Sequence, residues 1–110
     1  MNHPMLYGVY IARFPFIESS KDKLRPVVVL SRPYSKHKVV TVVPISSKQN
    51  AEAINITISD LAIAGLIRPS IARIYRLGTL LQTNLITQLG SLSDTDIRKL
   101  QVALRKLLNL

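Results

Sequence analysis

Along the first two thirds of the chain, apolar positions come in short runs or alternate with polar ones, the signature of strands rather than helices. Residues 6–16 mix Tyr, Val, Ile and Phe, and Pro15 closes the run because proline cannot donate to a sheet ladder. Residues 17–24 are polar and charged and read as a loop. Arg25-Pro26 then opens Val27-Val28-Val29-Leu30, too short for a helix and rich in β-branched residues, hence a buried central strand. Residues 31–38 form a turn with a basic tip, 39–45 the next strand with Pro44 near its end, and 46–50 another polar loop. Over 53–59, Ile54, Ile56 and Ile58 alternate with Asn55, Thr57 and Ser59, which predicts a half-buried strand with the isoleucines inward.

The period changes in the last third. Asp60 can cap a single helical turn over 61–64, and Gly65 supplies a left-handed stop. Pro69 holds Arg68 extended ahead of a strand over 70–77. Alternation there puts Arg73 and Tyr75 on one face but Ile71 and Ile74 on different ones, so the apolar pattern does not decide which side is buried. Residues 80–89 fit strand or loop. A helix begins at Ser93, whose hydroxyl can cap, with Asp96 at the capping-box position and Asp94 at the positive dipole end. Ile97, Leu100, Leu104, Leu107 and Leu108 form its apolar face, and Arg98, Lys99, Arg105 and Lys106 fall elsewhere on it. Short strands followed by one amphipathic terminal helix predict a mainly β fold: a small antiparallel sheet or partly open barrel closed by that helix.

Composition narrows the chemistry. At 110 residues the chain is expected to be a single domain over 1–110, and 47% hydrophobic residues exclude disorder. The absence of Cys removes disulfides, thiolate zinc sites and cysteine nucleophiles. His3 and His37 are the only imidazoles, so no His-rich metal site and no cofactor is expected, and Lys36-His37-Lys38 reads as a solvated turn tip. Fifteen Lys and Arg stand against six Asp and Glu, a net charge of +9, which points to a polyanionic partner. Met1-Asn2-His3-Pro4 is not the start of a signal peptide. The longest apolar runs, 61–67 and 27–30, fall short of the roughly 20 residues that span a bilayer. The expectation is a soluble cytoplasmic protein without a membrane role.

The order of segments carries a resemblance. Arg13-Phe14-Pro15-Phe16, a charged loop, Arg25-Pro26-Val27-Val28-Val29-Leu30-Ser31 and Val43-Pro44-Ile45-Ser46-Ser47 resemble the MazF/PemK toxins, as do Gly65-Leu66-Ile67-Arg68-Pro69-Ser70 and Leu89-Gly90-Ser91-Leu92 before the leucine-rich helix. The similarity covers nearly the whole chain. It implies a dimeric, SH3-like, partly open antiparallel barrel of the CcdB/PemK type. It also implies a metal-independent endoribonuclease that cuts single-stranded RNA, is silenced by a cognate acidic antitoxin, and binds DNA as the toxin–antitoxin complex. The family's arginine before the proline of the second strand and its Ser or Thr after Pro-Ile match Arg25 and Ser46, and its second arginine matches Arg73. Some relatives carry an acidic residue two positions after that arginine, where this chain has Tyr75. Others use a histidine in the first loop, and 17–24 contains none.

Metal-free RNA cleavage uses the substrate's own 2′-hydroxyl as nucleophile and leaves a 2′,3′-cyclic phosphate. The site must remove that proton, protonate the leaving 5′-oxygen and stabilise charge on the phosphoryl oxygens. Arginine suits the last task, because its planar fork bonds two phosphate oxygens and stays charged. Arg25 is therefore expected to clamp the transition state, Ser46 to orient the phosphate or the attacking hydroxyl, and Arg73 to be the second cation. Lys21, Lys23, Ser47, Lys48 and Tyr75 are the expected RNA contacts. Arg32, Lys36 and Lys38 would extend a phosphate-tracking funnel. Two other readings stay open: a same-fold toxin that binds a protein target, as gyrase-directed CcdB relatives do, and a basic nucleic-acid-binding module without catalysis.

Overall fold

The computed structural model describes residues 3–14, 23–48 and 54–110. Residues 17–22 of the loop expected over 17–24, the expected strand end at Pro15 and Phe16, and positions 49–53 lie outside the described residues. In chain order the elements are β1 (Gly8–Phe14), β2 (Lys23–Val29), β3 (Val39–Ser46), β4 (Ile56–Thr57), α1 (Leu61–Ala64), β5 (Ile71–Ala72), β6 (Gly78–Leu81), β7 (Leu85–Ser91) and α2 (Asp94–Leu108). All pairings are antiparallel, in the order β4-β5-β3-β2-β1-β7, with β6 also on β3. The result is the expected mainly β fold, an open seven-stranded sheet with a C-terminal helix.

The valine run explains the layering. Val27, Val28 and Val29 are all fully buried, because β2 lies between β1 and β3 and both of its faces are covered. Val28 joins Val9, Val43, Ile45 and Leu100 in the core beneath α2. Val27 and Val29 join Ala12, Val40, Val42, Leu80 and Leu85 in a second cluster.

Several boundaries differ from the sequence expectation. β1 starts at Gly8 rather than at position 6, because Met5 to Gly8 closes a turn (Gly8 N to Met5 O, 2.9 Å) with Tyr7 at φ 62. β2 starts at Lys23, inside the expected loop, because Lys23 and Leu24 pair with Phe14 and Arg13 of β1 and polar side chains do not stop a backbone ladder. The strand expected over 53–59 shrinks to Ile56–Thr57, although Ile56 and Ile58 are buried and Ile54 packs on the same core. The strand expected over 70–77 ends at Ala72, and Ile74–Arg76 form a 3₁₀ turn. Ile71, Ala72 and Ile74 are all buried, a spacing that straight two-residue alternation cannot satisfy. Residues 80–89 divide into the end of β6, a 3₁₀ turn at Gln82–Asn84 and the start of β7.

The helix signals hold in most particulars. The Asp60 side chain accepts from Ile63 N at 3.1 Å to cap α1, and Gly65 ends it at φ 75. A Cβ at Gly65 would lie 2.2 Å from Leu89 O, so the close seat of α1 on β7 also requires glycine. Ser93 Oγ accepts from Asp96 N at 3.2 Å and caps α2. Leu100 and Ala103 are buried, with Ile97, Leu104 and Leu107 against them. Leu108, expected on that face, is 49% exposed, since eight residues carry it about 80° around from Leu100.

Asp96 turns its carboxylate away from the cap it was expected to complete. The group is fully buried and accepts from Ser59 N (3.1 and 3.0 Å), Ser59 Oγ (2.7 Å) and Asp60 N (3.3 Å), and it pairs with Lys99 Nζ at 3.1 Å. Lys99 also donates to Thr57 O at 2.6 Å. Burial alone would raise its pKa, but the Ser59 hydroxyl and amide, Lys99 and the Asp60 amide outweigh it and hold the carboxyl below its ordinary value. One carboxylate thus fastens α2 to the segment between β4 and α1. Among the described residues no helix is long and apolar enough to cross a membrane.

Candidate active site

Strand register assembles the candidate site. β2 and β3 pair with Val27 opposite Pro44, and continuing that register by two residues sets Arg25 opposite Ser46. Both line a cleft of about 260 Å³, together with Ser47, Lys48, Arg68 and Ser70. On its other side Ser46 pairs with Ile71 of β5. The chain therefore delivers Arg73, just past β5, to the same place, where Arg73 Nη2 donates to Ser46 Oγ at 3.3 Å. Arg25, Ser46 and Arg73 are distant in sequence and converge because β2, β3 and β5 are neighbours.

The 3₁₀ turn shapes the far wall. Arg73 N donates to Pro44 O at 2.9 Å, which pins the turn to β3. The guanidinium spreads over three acceptors: Ser46 Oγ, Lys48 O at 3.4 Å, and Tyr75 Oη, to which Nη1 donates at 3.4 Å. Its Nε is buried without a hydrogen-bond partner among the described residues. The Arg76 guanidinium lies 6.0 Å from the centre of the Tyr75 ring, at the outer range of a cation–π contact. Ser46 Oγ also accepts from Lys48 N at 3.1 Å, a local turn that fixes its rotamer.

Other expected contacts separate from this centre. Lys23 is exposed at the start of β2, opposite Phe14, and does not line the cleft. Lys21 lies outside the described residues. Arg32, Lys36 and Lys38 sit exposed on the turn between β2 and β3, at the opposite ends of those strands from Arg25 and Ser46, so they do not extend the cleft. His37 is exposed on that turn, where its N donates to Ser35 Oγ at 3.1 Å. Arg68 is a cleft cation whose role no sequence feature announced, because nothing local says that the segment after α1 folds over the ends of β2 and β3. Pro69, which holds Arg68 extended, and the resemblance of the 65–70 segment to the toxins were hints that assigned Arg68 no role. Ser70 Oγ donates to Arg68 O at 2.8 Å.

Charge in the cleft is one-sided. Arg25, Lys48 and Arg68 line it and Arg73 stands behind Ser46, with no carboxylate among the described lining residues. The described carboxylates are elsewhere: Asp60 caps α1, Asp94 is in the first turn of α2 and Asp96 is buried. Among the described residues no three His, Asp or Glu side chains converge as a metal-binding group. Guanidinium forks beside serine hydroxyls suit a tetrahedral anion with several acceptor oxygens.

Solved structures of the same fold align over nearly the whole chain. The Mycobacterium tuberculosis toxin MazF-mt6 superposes with a TM-score of 0.75 at 26% identity, over 94% of this chain and 97% of that one. An endoribonuclease in complex with its cognate antitoxin, from a mycobacterial species, gives 0.74 at 17% identity, covering 97% and 96%. MazF from Deinococcus radiodurans gives 0.76 at 15% identity, covering 100% of each. No curated protein matches the sequence. Residues 7–108 match the family described as PemK-like, MazF-like toxins of type II toxin–antitoxin systems, and the chain belongs to that family.

Proposed function

We propose that this toxin is an endoribonuclease that cuts single-stranded RNA through attack of the 2′-hydroxyl, leaving a 2′,3′-cyclic phosphate. The observation that carries this reading is the cleft itself: Arg25, Lys48 and Arg68 around Ser46 and Ser47, with Arg73 bonded to Ser46. A phosphodiester gains negative charge on its non-bridging oxygens as the 2′-oxygen adds. Fixed cations stabilise that state more than the ground state. Arg25 and Arg73 clamp those oxygens, and Ser46 orients the phosphate. Ser47 and Lys48 hold the adjoining backbone, and Lys21 and Lys23 attract more distant phosphates. The charge that would otherwise come from a metal ion is supplied by these side chains.

The same cleft is where an acidic antitoxin would compete with RNA. That partner is supported by a structural relative solved in complex with its cognate antitoxin. A homodimer, doubling the groove, belongs to the same reading.

Single-stranded RNA incubated with the protein in EDTA is expected to yield fragments ending in 2′,3′-cyclic phosphate, and Arg25→Ala to abolish them. Equal cleavage by the variant removes Arg25 from the mechanism. Intact RNA with undiminished toxicity in the variant supports a toxin acting on a protein target instead.

A further inference from the structure

Arg73 divides its guanidinium between two hydroxyl groups. Nη2 donates to Ser46 Oγ at 3.3 Å and Nη1 to Tyr75 Oη at 3.4 Å. A phosphate taken by that planar fork would have an alcohol on one flank and a phenol on the other. In the Tyr75 contact the phenol oxygen is the acceptor, so its own proton is directed elsewhere, and no described residue accepts it. The backbone beside it is anchored, since Ile74 is fully buried, and the Arg76 guanidinium lies 6.0 Å from the ring centre. At 37% exposure Tyr75 remains accessible to a bound ligand.

We propose that Tyr75 is the proton donor to the departing 5′-oxygen, an inference that rests on the endoribonuclease reading above. The 2′-oxygen forms a bond to phosphorus and gives its proton to water. The bond between phosphorus and the 5′-oxygen breaks, its electron pair leaves with oxygen, and that oxygen takes the phenolic proton. The products are a 2′,3′-cyclic phosphate and a 5′-hydroxyl, and the phenolate regains a proton from solvent.

The neighbouring groups suit this step less well. A guanidinium is too weak an acid to release its proton readily, and a serine alcohol is a weaker acid than a phenol. Lys48 meets Arg73 through its backbone carbonyl, not its ammonium.

The test uses two versions of one short RNA containing a linkage that the wild-type protein cuts. In one the 5′-bridging oxygen is replaced by sulfur, a leaving group that departs without a proton. Tyr75→Phe keeps the ring and removes only the oxygen. On the ordinary linkage it is expected to lower kcat about a hundredfold, with KM within about twofold. On the sulfur linkage wild type and variant are expected to cut equally fast. Equal rates on the ordinary linkage overturn the proposal, and so does an undiminished defect on the sulfur linkage, which would assign Tyr75 to positioning alone. RNA left whole by the wild-type protein overturns the endoribonuclease reading, and this inference with it.

Discussion

Two clusters of charged and hydroxyl side chains differ in how completely their hydrogen bonds are closed. Around Asp96, a fully buried carboxylate receives two amides, one hydroxyl and one ammonium at 2.7 to 3.3 Å. Around Arg73, a half-buried guanidinium makes three contacts of 3.3 to 3.4 Å, keeps a buried Nε unbonded among the described residues, and has no described carboxylate beside it. The first cluster has no valence left for a ligand and joins elements of the fold. The second retains donors and positive charge, which is what a site for an anion requires. Closure thus separates a structural ion from a candidate anion site more clearly than charge does.

Three predictions test that contrast, beginning with the largest effect. Arg73→Ala is expected to lower RNA cleavage by about 100- to 1000-fold, as loss of one transition-state donor does, while changing unfolding stability by no more than about 1 kcal/mol. Single-turnover cleavage beside urea unfolding checks both halves, and a stability loss as large as the activity loss would erase the distinction. Asp96→Ala is expected to reverse the profile. It strands the Ser59 and Asp60 donors and should cost about 2–4 kcal/mol of stability. Arg25 and Ser46 would stay in register, so the remaining folded fraction should cleave normally.

The third and smallest effect is in pH. The folded state holds the Asp96 carboxyl below its ordinary value, so its stabilising contribution is complete above the unfolded value of 3.8 and is lost as pH falls through the lower folded value. Asp96→Asn should therefore show a smaller loss of stability than wild type as pH falls below the unfolded value of 3.8, measured by urea midpoints. Parallel acid limbs would show that Asp96 is not the group responsible.

Local signals in the sequence were legible where one residue and its immediate neighbours decide the outcome. Asp60 and Gly65 bound α1, and Ser93 starts α2, because caps and left-handed turns are short-range events. The Val27–Val29 run marked a strand buried on both faces because adjacent strand residues point to opposite faces and all three are β-branched and apolar. Where two demands met, local reading failed. Asp96 had the spacing of a capping box, but Ser59 and Asp60, brought over by packing, took its carboxylate instead. Burial of Ile71, Ala72 and Ile74 together bent an expected strand into a 3₁₀ turn.

By itself, then, the sequence determined the buried valine strand, the capped helices, the cationic excess and the segments that mark the toxin family. Those properties depend on residues close together in the chain. Only the tertiary structure decided which cations share a cleft. Antiparallel pairing brought Arg25, Ser46 and Arg73 together, folded Arg68 over them, and left Arg32, Lys36 and Lys38 at the far ends of the same strands. Register between strands is a contact between distant segments, fixed by how both faces of the sheet are buried, and no local spacing encodes it.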